Sequence, residues 1–190
     1  MNAANLVTIS RILLVPVIVA VYYSGFAWSQ IAAAVLFSLA SISDWLDGYL
    51  ARKLDQTSEF GAFLDPVADK LLVVMALVLL TANYPSPWFV VPTAVLIGRE
   101  VFISALREWM AGRNQRDLVA VGYIGKVKTT VQMIAIIVLM AYTPDLSPEI
   151  SWFSWPSWVL QTGYLLLYLA AALSLWSMAV YLKSALPSLK

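Results

Sequence analysis

The sequence predicts an all-α integral membrane protein with six transmembrane helices and with both termini in the cytoplasm. Of its 190 residues, 61% are hydrophobic and only 12% are charged, whereas about 25% of the residues of a soluble domain are charged. Several apolar runs approach the roughly 20 residues that a helix needs to cross a bilayer. The connections on one side of these runs, together with the termini, also carry the basic residues. This distribution predicts which side of the membrane each connection faces.

Six apolar segments are predicted to form helices, and breaks that contain Gly, Pro or Asn separate them. They cover residues 6–24, 30–51, 61–82, 87–110, 120–142 and 158–183. The first segment could be mistaken for a signal peptide, but it has no basic leader and it contains Arg11, so we interpret it as a retained helix. No internal repeat is visible, and residues 1–190 are expected to form a single six-helix transmembrane domain.

The basic residues indicate which side of the membrane each connection faces. All twelve Lys and Arg residues lie in, or in the half-helices nearest to, the connections near 52–60 and 111–119 and the two termini. The opposite connections, near 24–29, 83–87 and 143–157, contain no basic residue. This positive-inside pattern places the basic side in the cytoplasm. A soluble helical protein with a large core, the alternative, would not sort its cations so completely.

The chain contains no cysteine and no histidine, which narrows the chemistry that it can perform. Disulfides and thiolate metal sites are excluded, and so is the side chain that most often serves as a base near neutral pH. Any catalysis is therefore expected to depend on carboxylates, lysines, arginines, hydroxyl groups or bound metal ions.

Four aspartates form the most informative pattern in the sequence. Asp44 and Asp47 are three residues apart near the end of the second predicted helix, and Asp65 and Asp69 are four apart near the start of the third. Each pair shares one helix face, and a short connection should bring both pairs to the same depth. Four oxygen ligands suit hard divalent cations, and a pair of ions about 3.5–4 Å apart can clamp a phosphoryl displacement. Solvated helix-end charges are the alternative interpretation.

Small residues accompany these aspartates. Gly48, Ala51 and Gly61 have little or no side chain, so a ligand could approach the backbone closely. Arg52, one turn beyond Asp47, could bind a diphosphate with two parallel hydrogen bonds. The alternative is that the small residues serve helix packing.

The segment from Asp44 to Asp69 resembles the signature of the CDP-alcohol phosphatidyltransferases, D-x2-D-G-x2-A-R-x8-G-x3-D-x3-D, with every fixed position filled. The resemblance implies a six-helix catalytic domain, usually a homodimer, with a cytoplasm-facing active site and two Mg²⁺ or Mn²⁺ ions. It implies the following roles: metal binding by Asp44, Asp47, Asp65 and Asp69, general-base catalysis by Asp69, and contact with the CDP moiety of CDP-diacylglycerol by Gly48, Ala51, Arg52 and Gly61.

A second group of residues on the basic side suggests an acceptor that carries a phosphate. It comprises Thr8, Arg11, Arg99, Arg107, Lys126 and Lys128. Arg99 lies within an apolar span, where an unpaired cation costs a few kcal/mol. Since the adjacent Glu100 is expected to point elsewhere on the helix, a substrate phosphate is the predicted partner. Positive-inside anchoring or contact with lipid headgroups is the alternative for these cations.

The segments around these residues are similar to those of bacterial family members that make phosphatidylglycerophosphate. They are 5–11, 98–108 and 125–132. This resemblance implies sn-glycerol 3-phosphate as the acceptor, the six residues above as its phosphate contacts, and a bacterial inner membrane as the location. Inositol phosphate, or phosphatidylglycerol as in cardiolipin synthesis, remains an alternative acceptor. From another class, a divalent-cation transporter would place its acids near the bilayer midplane in two related halves.

Overall fold

The computed structural model describes residues 3–54, 59–113, 123–142 and 156–186, with side chains for 9–43, 64, 66–113, 125–142 and 156–186. The described chain forms six helices and no strand: α1 Ala3–Tyr22, α2 Ser29–Leu54, α3 Glu59–Asn83, α4 Pro87–Ala111, α5 Tyr123–Ala141 and α6 Ser157–Ala185. All six predicted helices are confirmed, with ends that differ by a few residues. At about 1.5 Å per residue, they are roughly 28 to 44 Å long.

The helices end where the sequence provides turn residues. Gly25, in the connection after α1, has a φ of 76°, a left-handed conformation that glycine adopts without steric cost. Pro87 opens α4 at its first turn, where the missing backbone N–H is not needed. Helix α2 continues past the predicted end at Ala51 to Leu54, because Arg52, Lys53 and Leu54 are good helix formers.

The helices pack into one bundle around an apolar core. Helix α1 contacts α2 and α3, α5 contacts α2, α3 and α6, and α6 also contacts α4. The core contains fully buried side chains from all six helices, among them Ile18, Phe37, Leu80, Leu96, Ile136 and Leu167. A second, smaller apolar cluster joins α4 to α6 near Met110 and Tyr181.

The outer surface of the bundle is also apolar, as a membrane protein requires. Trp88, Val101, Leu165 and Trp176 are each at least 65% exposed, and soluble monomers rarely expose broad apolar patches. Among the described residues, the segments long and apolar enough to cross a bilayer are Pro66–Asn83, Pro87–Ala111 and Ser157–Ala185. Shorter apolar stretches lie in α1 and α2.

Two tyrosine hydroxyl groups connect the helices at the end of the bundle opposite to the aspartates. Tyr84, between α3 and α4, donates to the carbonyl oxygen of Leu139 in α5 at 3.1 Å. Tyr168 in α6 donates to the carbonyl oxygen of Trp88 in α4 at 2.7 Å. These bonds hold one end of the bundle together, while polar and charged side chains at the other end surround a cavity.

Candidate active site

Asp69 lies on α3 and is half-buried. It lines two neighbouring spaces at the same time. One is a cavity of about 40 Å³, which we name the Asp69 cavity; its walls are Asp69, Lys70, Val73, Glu100, Lys128, Thr129, Gln132 and Met133. The other is a more open space of about 400 Å³, which we name the α2–α5 groove; it is lined by Ser38, Ser41, Ile42, Asp69, Thr129, Thr130, Met133, Ile134 and Ile137.

The Asp69 cavity occupies a gap between α4 and α5. In the described chain, no Cα atom of α4 comes within 8 Å of one of α5, although both helices contact α3. Long side chains bridge this gap. The ammonium group of Lys128, a residue only 2% exposed, donates to Oε1 of Glu100. An ion pair between a cation of α5 and a carboxylate of α4 therefore forms part of the cavity wall.

Arg99 stands next to this ion pair and completes a chain of polar contacts across three helices. Its Nη1 lies 3.2 Å from Oε1 of Glu100, and its Nη2 donates to Oγ of Ser177 in α6 at 2.8 Å. The guanidinium carbon is 5.9 Å from the ring centre of Tyr181. The expectation that Glu100 points elsewhere was wrong, because the long arginine side chain folds back onto the carboxylate of its neighbour.

This arrangement lets two cations be buried close together. Arg99 is 9% exposed and Lys128 is 2% exposed, and two buried cations would repel each other and lose their hydration. Glu100, whose side chain is 20% exposed, accepts hydrogen bonds from both. Together with Asp69 and Lys70, which line the same cavity, these three side chains carry one net positive charge, which is suited to an anion.

Gln132 adds a neutral polar group to the cavity. It follows Lys128 by one helical turn in α5, it is only 2% exposed, and it lines the Asp69 cavity. Its Oε1 has no hydrogen-bond partner among the described residues. The residues that line the cavity therefore provide two carboxylates, two ammonium groups and the amide of Gln132.

The other described candidates for the acceptor phosphate are not among the residues that line the Asp69 cavity. Arg11 is buried in α1, Arg107 is half-buried in α4 and Lys126 is exposed at the start of α5. Of these candidates, only Lys128 is among the described residues that line the Asp69 cavity. The side chain of Thr8 lies outside the described residues.

The helices place the backbones of the four aspartates at one end of the bundle. Helix α2 ends at Leu54 and α3 begins at Glu59, and the four residues between them can span at most about 3.6 Å per residue. The following side chains of the predicted site lie outside the described part: Asp44, Asp47, Gly48, Ala51, Arg52, Gly61 and Asp65. Among the described side chains, no cluster of three or more possible metal ligands occurs.

The described part of the site is chemically compatible with hard divalent cations. Asp69 offers carboxylate oxygens to an open groove rather than to the apolar core. The chain provides no nitrogen ligand from histidine and no sulfur ligand from cysteine, and oxygen-only sites suit Mg²⁺ or Mn²⁺.

The structure adds residues that the sequence did not single out for a role. Glu100, Gln132 and Thr129 line the cavity, and Ser177 holds Arg99 from α6. A sequence signal existed for Gln132, because it is four residues from Lys128 and therefore on the same helix face. No local pattern pointed to Ser177, which is 78 residues from Arg99.

Comparison with known proteins agrees with this geometry. The family model of the CDP-alcohol phosphatidyltransferases matches residues 1–181. Proteins from Salmonella choleraesuis (strain SC-B67) and Escherichia coli (strain K12), both named CDP-diacylglycerol–glycerol-3-phosphate 3-phosphatidyltransferase, are 48% identical to the chain over 186 residues. Each alignment covers 97% of this chain and 94% of the relative. The chain therefore belongs to the CDP-alcohol phosphatidyltransferase family.

Proposed function

We propose that this phosphatidyltransferase moves the phosphatidyl group of CDP-diacylglycerol onto sn-glycerol 3-phosphate, giving phosphatidylglycerophosphate and CMP. The observation that carries the proposal is that Asp69 and the ammonium group of Lys128 line one cavity. An acceptor held there by its phosphate would have its hydroxyl group within the reach of a carboxylate. The names of the relatives at 48% identity support the same reaction.

The acceptor phosphate would bind to the basic group of the site. Lys128 is the best-placed of the candidates whose side chains are described, since it lines the same cavity as Asp69. Thr8, Arg11, Arg99, Arg107 and Lys126 remain candidates for further contacts. Arg99 is already held by Glu100 and Ser177, so its contribution would depend on the Nη groups being shared with the substrate.

Asp69 would act as the general base. The acceptor hydroxyl oxygen forms a bond to the phosphorus that carries diacylglycerol, while the bond from this phosphorus to the bridging oxygen of the diphosphate breaks. CMP leaves with that electron pair, and the hydroxyl proton passes to the carboxylate of Asp69. Since a carboxylate is a weak base, orientation of the acceptor should contribute more to the rate than proton transfer does.

Asp44, Asp47, Asp65 and Asp69 would hold two Mg²⁺ or Mn²⁺ ions. When bound, the ions supply positive charge that neutralises the diphosphate and stabilises the leaving CMP. The small residues Gly48, Ala51 and Gly61, together with Arg52, would line the CDP moiety. The motif in which all of these residues occur, and the match to the family over residues 1–181, support the assignment.

The α2–α5 groove is suited to the lipid part of the donor. Its walls combine apolar Ile134, Ile137 and Met133 with serine and threonine hydroxyls, and it opens beside Asp69. A diacylglycerol backbone in this groove would have ester groups near the hydroxyls and acyl chains toward the membrane.

The membrane arrangement completes the proposal. Residues 1–190 would form one catalytic domain with six transmembrane helices, with both termini and the active site facing the cytoplasm, in a bacterial inner membrane. The sorting of all twelve basic residues to one side supports this orientation. A homodimer is expected from the family resemblance.

The acceptor can be identified directly with the purified protein in detergent micelles. CMP release from CDP-diacylglycerol should be measured with glycerol 3-phosphate, inositol phosphate and phosphatidylglycerol supplied separately. The proposal predicts rapid release only with glycerol 3-phosphate and a product that contains both phosphates. Release with one of the other two acceptors alone would contradict the proposed acceptor, and release with none would contradict the proposed reaction.

A further inference from the structure

The amide oxygen of Gln132 is a buried acceptor that lacks a donor. Gln132 lies in α5 with an exposure of only 2%, and its Oε1 has no partner among the residues that the structure describes. A buried polar atom without a hydrogen bond is destabilising, so such an atom usually has a structural or functional explanation. Oε1 forms no hydrogen bond to a neighbouring helix among the described residues. This atom therefore does not help to hold the described bundle together.

The surroundings of Gln132 restrict what its partner can be. The residue lines the Asp69 cavity together with Asp69 and Lys128. The acceptor phosphate cannot be the partner, since an ionised phosphate has no proton to donate. The ammonium groups of Lys70 and Lys128 belong to residues that line the same cavity, yet neither bonds to Oε1. The missing partner is therefore expected to be a hydroxyl group of a bound molecule.

We propose that Oε1 of Gln132 accepts a hydrogen bond from the secondary, C2 hydroxyl group of the acceptor. This inference rests on the proposed function, in which the primary, C1 hydroxyl group attacks and gives its proton to Asp69. The phosphate at C3 of the acceptor would contact the basic residues of the cavity. The C2 hydroxyl is then the remaining hydrogen-bond donor of the acceptor. Gln132 lies one helical turn from Lys128 and so faces the middle of such an acceptor.

The function that follows is selectivity for a hydroxylated acceptor. A site built to pair with a hydroxyl group discriminates against an analogue that lacks it, because the buried oxygen is then left without a donor. Gln132 is thus a specificity-determining residue, whereas Asp69 and Lys128 act on groups that many phosphorylated alcohols share.

The experiment compares two acceptors that differ only at C2: sn-glycerol 3-phosphate and 3-hydroxypropyl phosphate. The kcat/KM of the full-length protein is measured for each acceptor, with CDP-diacylglycerol at saturation. We expect the wild type to prefer glycerol 3-phosphate by about tenfold, the strength of one neutral hydrogen bond. In Gln132→Met, which keeps the shape and removes the oxygen, the ratio should fall to within about twofold of one.

Two further variants distinguish loss of the hydrogen bond from a general disturbance of the protein. Gln132→Glu keeps an accepting oxygen and should keep the preference. Gln30→Met is a matched control, because Gln30 lies in α2 and its Oε1 also lacks a partner among the described residues, but it does not line the Asp69 cavity. The Gln30 variant should show the wild-type ratio.

Several results would overturn the inference. If the wild type uses both acceptors equally well, the inference is wrong. This result requires no variant, so it is decisive even if Gln132→Met fails to fold. If the preference for glycerol 3-phosphate persists in a folded Gln132→Met, groups other than Gln132 cause it. The same conclusion follows if Gln132→Glu loses the preference as completely as Gln132→Met. These results leave the proposed reaction intact, whereas a wild type that releases no CMP with either acceptor contradicts the reaction itself.

Discussion

Among the described residues, Asp69, Thr129 and Met133 line both spaces of the site, and Asp69 is the charged one. It lines the Asp69 cavity beside Lys128 and also opens onto the α2–α5 groove. A donor lipid in the groove and an acceptor in the cavity would therefore approach the same carboxylate from two sides. This position explains why one aspartate could serve both as a metal ligand and as a base.

Asp69→Asn is predicted to lower turnover by at least about 100-fold, since an amide cannot take up the hydroxyl proton. Binding of CDP-diacylglycerol should remain measurable, because the asparagine side chain has the same size as the aspartate that it replaces. CMP release and equilibrium binding of the donor would be measured side by side. Glu108→Gln, which also removes a carboxylate but from an exposed position on α4, is the control. Near-normal turnover in the Asp69 variant would refute its role as base.

Lys128→Met is predicted to raise the KM for glycerol 3-phosphate by about tenfold or more, because it removes a charge-assisted contact to phosphate. The KM for CDP-diacylglycerol should change by less than about twofold. Steady-state kinetics with each substrate varied in turn would measure both values. Lys183→Met, at an exposed position near the end of α6, is the matched control. A larger effect on the donor than on the acceptor would speak against the assigned contact.

At the scale of helices, Glu100 links α4 and α5 across the gap that forms the cavity. In the described chain no Cα atom of α4 lies within 8 Å of one of α5, and the contact of Glu100 with Lys128 joins the two helices across this distance. Arg99 extends this link to Ser177 in α6. The acceptor side of the site is therefore held by side chains from three helices.

Glu100→Gln is predicted to destabilise the protein by about 3 kcal/mol, because Arg99 and Lys128 would be left as buried cations without a counter-charge. For a chain of this size, that corresponds to a fall of roughly 6–12 °C in the apparent Tm. Thermal unfolding in detergent micelles would measure it. The double variant Arg99→Met with Glu100→Gln should recover part of the loss; an additive loss would contradict the ion-pair explanation.

Gly163 governs how closely α5 and α6 pack. A Cβ atom at this position would lie 2.6–2.7 Å from side-chain atoms of Leu139, whereas a Cβ atom at Gly98 would have no neighbour within 4 Å. Gly163→Ala is therefore predicted to destabilise the protein by about 1–3 kcal/mol through overpacking. Gly98→Ala should be neutral or stabilising, since alanine is the better helix former. Equal apparent Tm values for the two variants would contradict this packing.

The sequence predicted the helices well, whereas the roles of the aspartates and of the acceptor-phosphate candidates stay predictions. Each aspartate pair is a local pattern, so three- and four-residue spacing sufficed to place it on one helix face. The partner of Arg99 was predicted wrongly, because adjacent residues diverge around a helix but a long side chain can fold back. The contacts of Ser177 with Arg99 and of Glu100 with Lys128 arise only through tertiary packing, which no spacing along the chain records.

For the whole molecule, the distribution of charge is the feature on which the proposed orientation in the membrane depends. The three connections assigned to the outer side contain no basic residue, and the exposed surface between the two ends is largely apolar. The proposed topology places Ser24 outside and the end of α6 inside.

The absence of cysteine makes this topology testable with single substitutions. In intact spheroplasts, a membrane-impermeant maleimide is predicted to label Ser24→Cys and not Ser184→Cys. After permeabilisation it should label both, since both serines are exposed. Labelling of Ser184→Cys alone before permeabilisation would reverse the proposed orientation.

Carboxylates from α2 and α3 are proposed to hold a pair of divalent cations where the phosphatidyl group is transferred. The most direct measurement is an electron paramagnetic resonance titration of the purified protein with Mn²⁺ in micelles that contain CDP-diacylglycerol. Two bound ions per chain are predicted for the wild type, with fewer in Asp44→Asn. A wild type that binds no Mn²⁺ and still releases CMP at its full rate in the presence of a chelator would contradict the account.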